Sequence, residues 1–99
     1  MNQPLLVEWS HRSLGDLEDR VEFLSDDSVP AAERAAEAIL SAGNRLGDFP
    51  QIGRPYAKAP DQYRELVVPF GSEGYTLLYE VLADRVFIVG LKHQREAGY

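Results

Sequence analysis

The 99-residue chain has no cysteine. That excludes disulfide staples, thiolate nucleophiles and cysteine-built metal sites. Its two histidines, His11 and His93, are too few for a histidine-built zinc site, and no cofactor is expected. Long apolar runs are missing, and none approaches the roughly 20 residues of a membrane span. The opening MNQPLLVEWSHRS lacks a basic region backed by an apolar stretch, so no signal peptide is expected. The expectation is a soluble, cytoplasmic protein with no membrane partner. Positive charge is also short: 10 Lys and Arg stand against 16 Asp and Glu, for a net charge of −6. Nucleic-acid binders gain affinity when cations release counterions from phosphates. This chain is therefore not expected to bind DNA strongly by itself.

The acid excess is unevenly placed. Residues 1–50 hold four basic and ten acidic side chains, and residues 51–99 hold six of each. With 44% hydrophobic and 26% charged residues the chain is globular, and its length suits one domain, residues 1–99.

Leu5 to Trp9 is a short apolar run that reads as a strand. Ser10 is placed to cap a helix from about His11 to Ser25, whose buried stripe is Leu14, Leu17, Val21 and Leu24. Ser28 caps a second helix running to about Arg45, with Pro30 in its first turn and a stripe of Ala32, Ala35, Ile39, Ala42 and Leu46. Its alanines permit a close antiparallel crossing with the first helix. Gly47 is predicted to end it in the left-handed conformation. A loop with Pro50, Pro55 and Pro60 follows, pinned to the core by Phe49 and Ile52. Three strands come next: Tyr63–Phe70, Tyr75–Leu82 and Arg85–Leu91. The last is the most apolar and is expected to be central. The first strand is expected beside it, in a direction that periodicity leaves open. The order β-α-α-β-β-β predicts an α+β fold, a helical hairpin packed on a mainly antiparallel sheet.

VEWS at 7–10, FPQIGRP at 49–55, YRELVV at 63–68, GYTLLYEV at 74–81 and KHQREAGY at 92–99 occur in that order and spacing. Together they give the chain a resemblance to the RelE/ParE superfamily of toxins from type II toxin–antitoxin modules, closest to the ParE-type members called plasmid stabilization proteins. The resemblance implies a toxin neutralised by a cognate antitoxin. It further implies one of two targets: DNA gyrase for ParE-type members, or ribosome-bound mRNA, cut without a metal, for RelE-type members. A degenerate interaction protein is the third possibility.

Metal-free RNA cleavage needs a base for the 2′-hydroxyl, an acid for the leaving oxygen and cations for the developing charge. In RelE-type relatives, lysines, arginines and a C-terminal tyrosine fill these roles. Carried onto this chain, the resemblance matches Arg64, His93, Arg95 and Tyr99. It finds Leu66 and Thr76 where cations would stand, and His93 where an arginine would. The sequence therefore favours a gyrase inhibitor that is not itself an enzyme, with an mRNA endonuclease as the alternative. The target-binding candidates are Arg54, Arg64, Lys92, His93, Arg95 and Tyr99. His93 reads first as a surface imidazole bonding a strand end, and second as a general base or acid. Arg54 either braces the proline loop or meets a partner. Arg64 beside Glu65 also reads as part of a cross-strand ion pair, while Tyr63, Tyr75 and Tyr79 read as sheet packing and Trp9 as core.

Overall fold

A computed structural model describes residues 3–99. Strand β1 is Leu6–Trp9, helix α1 His11–Ser25 and helix α2 Val29–Asn44, followed by a 3-10 turn at Arg45–Gly47. Strands β2 (Arg54–Pro55), β3 (Arg64–Phe70), β4 (Glu73–Val81) and β5 (Arg85–His93) complete the chain. The sheet order is β1-β5-β4-β3-β2. Strand β1 lies beside β5 as expected, and runs parallel to it from Leu6 opposite Arg85 to Trp9 opposite Ile88. All other neighbours are antiparallel.

Both helix starts follow their serines. The Ser10 hydroxyl oxygen accepts from the Ser13 amide at 3.0 Å, and that of Ser28 accepts from Ala31 at 3.2 Å. Ser10 also ties the start of α1 to β5, since its amide donates to Ile88 O at 2.9 Å and its hydroxyl to Val89 O at 3.2 Å. Val89 is an extra residue in its strand: Leu78 faces Gly90 while Tyr79 faces Ile88. This bulge lets Ile88 and Leu91, three apart, both face the helices. The Leu91 amide in turn donates to the Asp16 carboxylate of α1 at 3.1 Å.

Leu14, expected in the buried stripe of α1, is 40% exposed, which leaves Leu17, Val21 and Leu24 against the core. Four further expectations need correction. The middle strand is β4, not β5, because β1 adds outside β5 and β2 adds outside β3. From Tyr75 to Tyr79 every residue of β4 is buried, so its alternation is masked. The proline loop contains a two-residue strand, β2, too short for any periodic signal. Gly47 closes a 3-10 turn with no left-handed backbone; Gly71, at φ 62° in the β3–β4 turn, is the positive-φ residue among those described. What Gly47 provides is a close approach, since a Cβ there would lie 2.6 Å from Leu5 O.

The fourth correction concerns the loop's anchor. Phe49 and Ile52 are 53% and 46% exposed, and neither pins the loop. The fully buried Tyr79 does so instead: its hydroxyl donates to Pro50 O at 2.8 Å and accepts from the Gly53 amide at 2.9 Å. Gly53 can have no side chain, because a Cβ would sit 2.6 Å from that same hydroxyl and from Glu65 O. The core joins Leu17, Ala35, Ile39 and Leu46 to Val68, Tyr75, Leu77, Tyr79, Val86, Ile88 and Leu91. No helix among the described residues is long and apolar enough to cross a membrane.

Replacing Tyr79 with Phe keeps the ring and strands two loop groups. Urea unfolding is expected to show a loss of about 1–3 kcal/mol, the desolvation cost of a buried polar group left unmade.

Candidate functional site

Alternation along β3 sends Arg64, Leu66 and Val68 towards the helices and Glu65 and Val67 to the open face of the sheet. The Arg64 guanidinium donates to Gly53 O, so this cation secures the loop beside the Tyr79 clamp. The ion pair expected near Arg64 is made one residue later. Arg54 faces Glu65 across the β2–β3 ladder, with its Nε 3.5 Å from Glu65 Oε1.

The other carboxylate oxygen of Glu65 takes the C-terminal tail. The Tyr99 hydroxyl donates to Glu65 Oε2 at 2.7 Å. The Tyr99 ring lies on Gly90, where a Cβ would stand 3.2 Å from its Cδ1, so glycine permits this seat. Tyr56 meets the ring edge-on, with centroids 5.9 Å apart. The Lys92 ammonium is 5.5 Å from the ring centroid and donates to Glu96 O at 3.0 Å. Burial is the main force raising the Tyr99 phenol's pKa. Its bond to Glu65 and that carboxylate's charge add to the shift, and Arg54 opposes it. The phenol is therefore held protonated.

His93 and Arg95 go elsewhere. His93 points to the helix side of the sheet end, edge-on to Tyr75 at 5.6 Å. Its Nδ1 accepts from the Arg95 amide at 3.1 Å, and its Nε2 stands 3.3 Å from Glu73 Oε2. That arrangement places the ring proton on Nε2. The Arg95 guanidinium pairs with the other oxygen of Glu73. The tail is then tied to α1 by an ion pair between Arg20 and Glu96. Glu96 has a lowered pKa, first because the His93 amide donates to it and then through Arg20.

The candidate residues thus form two clusters and one outlier. Arg54 and Tyr99 meet at Glu65 on the open face, with Lys92 beside the Tyr99 ring. His93 and Arg95 share Glu73 on the helix side. Arg64 is also on the helix side, but it faces Tyr79 whereas His93 faces Tyr75. Four residues along β4 offset them by about 13 Å in the strand direction, and β4 itself lies between them. Leu66 packs against the core, and Thr76 is buried on the open face opposite Lys92. Glu65 as a shared hub and Glu73 as a second were missed by sequence reasoning. Period-two alternation is enough to put Glu65 on the face opposite to that of Arg64, but nothing local links it to Tyr99. Tyr56, in the proline loop, carried no periodic signal.

A helical hairpin on one face of a sheet ordered this way is the architecture that the resemblance to the RelE/ParE superfamily implies. The family model described as "ParE toxin of type II toxin-antitoxin system, parDE" matches residues 7–98. Two Caulobacter vibrioides proteins are similar over most of their length. Toxin RelE3 is 36% identical over 90 residues, 91% of this chain and 95% of the relative. Toxin RelE2 is 33% identical over 87 residues, 88% and 92% respectively. A structure titled "Chromosomal ParDE TA system from P. aeruginosa" superposes with TM-score 0.77 at 16% identity, covering 93% of this chain and 98% of that one, and so shares the fold. The chain belongs to the ParE toxin family of type II toxin–antitoxin systems, which implies a cognate antitoxin as partner.

Three phenols have pKa values raised above the ordinary 10.0, each first by burial: Tyr75, Tyr79 and Tyr99. A raised pKa contributes stability that is complete below the unfolded value and lost as pH rises past it. Phenolate absorbance is therefore expected to show these three of the five tyrosines ionising only as the fold opens at alkaline pH. Full reversible titration of all five in the native state would refute this.

Proposed function

We propose that this chain is a ParE-type toxin that inhibits DNA gyrase by binding it, acts in the cytoplasm and is neutralised by its cognate antitoxin. The observation that carries the reading is the fate of Tyr99. Its phenol donates to the Glu65 carboxylate on a face that holds neither Arg64 nor His93. A phosphate entering there meets a carboxylate beside the phenol, where metal-free cleavage needs converging cations. Arg54 already pairs with that carboxylate, and Arg95 pairs with Glu73. The net charge of −6 also disfavours a nucleic-acid substrate. Inhibition by binding asks only for a surface. The family model matched is the ParE one, and ParE-type members are those that the sequence resemblance links to gyrase.

A second reading is favoured by the printed names of the two relatives, Toxin RelE3 and Toxin RelE2. It is a ribosome-dependent mRNA endonuclease using Arg64, His93, Arg95 and Tyr99, which requires the tail to leave its seat. Purified protein separates the two. The proposal expects inhibition of gyrase supercoiling and intact mRNA on programmed ribosomes. Cleaved mRNA with unaffected gyrase would establish the second reading. Inactivity in both assays, with no growth arrest on expression, would leave a degenerate interaction protein.

A further inference from the structure

The proline loop and the C-terminal tail are far apart in sequence, yet both end on one carboxylate. Glu65, with its side chain 11% exposed, offers one oxygen to Arg54 and the other to the Tyr99 hydroxyl. The same two segments touch a second time where the Tyr56 ring meets the Tyr99 ring. Between these contacts each segment is mostly solvent-exposed, at residues 57–62 and 94–98.

We propose that residues 54–62 and 97–99 form a single strap across the open face of the sheet, latched at Glu65, which opens and closes as one unit. Each half then stabilises the other through Glu65. With the Tyr99 hydroxyl bound, the carboxylate is fixed where Arg54 can pair with it, and the Tyr99 ring gives Tyr56 its seat. Releasing the tail frees the carboxylate and removes that seat. Releasing the loop leaves the carboxylate with one partner fewer and the Tyr99 ring without its edge contact. Opening uncovers Gly90, under the ring, and Leu78 paired beside it. The inner ends of both segments are not part of the unit: Tyr79 holds Pro50 and Gly53 independently, and Arg20 and Glu73 hold Glu96 and Arg95.

The strap carries its own reporters. In the loop, the amides of Tyr56 and Tyr63 donate to Tyr63 O and Ala59 O, both at 2.9 Å. At the end of the tail, Gly90 lies under the Tyr99 ring, so its Hα chemical shift reports whether the ring is seated. The test is amide hydrogen exchange on the folded full chain carrying Tyr99→Phe, which keeps the ring and deletes the latch bond. The expected result is faster exchange of the loop amides, by about tenfold or more, as the loss of a bond to a charged group implies, together with loss of the ring-current shift at Gly90. Amides of Leu77 and Leu91 in the sheet should keep their protection. Arg54→Ala is the reciprocal arm and should weaken the ring-current shift at Gly90, since coupling is mutual. If either substitution loosens only its own segment, or neither, the single-unit strap is wrong. Should Tyr99→Phe unfold the sheet, the Arg54→Ala arm alone decides.

Discussion

The middle strand of this sheet has to be covered on both sides. Tyr75, Leu77 and Tyr79 of β4 meet the helices, and Thr76 and Leu78 face the other way, yet all five are buried. The helical hairpin accounts for one side. On the other there is no third layer, and the cover comes from neighbouring strands and from the ring of Tyr99 on Gly90. A chain of this length has no residues to spare for a second helical layer, so one aromatic residue at the end of the tail takes that place. The bond from its hydroxyl to Glu65 keeps it there.

The same economy shapes the charges. The candidate basic side chains are engaged by the protein itself. Arg64 holds the loop carbonyl, Arg54 and Tyr99 divide Glu65, Arg95 and His93 divide Glu73, and Arg20 holds Glu96. Most of these pairs are partly exposed and individually weak. Their effect is geometric, because together they fix the tail between α1 and the open face. A site for phosphoryl chemistry would need those cations free and converging, whereas a docking surface needs only that they be held still.

Much of this was legible in the sequence. Both helices began at the predicted serines, since a cap is a local device that the next three residues complete. The strand order around β5 followed from hairpin connectivity and one remaining apolar segment. What escaped reading was non-local. Phe49 and Ile52 are apolar and near the core in sequence, yet the loop hangs from a hydroxyl that lies 29 residues after Pro50. The bulge at Val89 changed which side of the sheet the residues beyond it face, and alternation alone cannot show that. The tail residues Lys92, His93, Arg95 and Tyr99 looked like one cluster because they are adjacent in sequence. They separate because successive strand residues point to opposite faces. Glu65 became a hub only when a residue 34 positions later folded back to it.

The central claim is that this toxin acts by holding a protein target and not by cutting RNA. The most direct measurement follows DNA synthesis, translation and plasmid supercoiling together in growing cells after the chain is induced without its antitoxin. The account predicts that DNA synthesis falls and negative supercoiling is lost before protein synthesis declines. An immediate stop in translation, with transcripts cleaved and DNA topology unchanged, would contradict it.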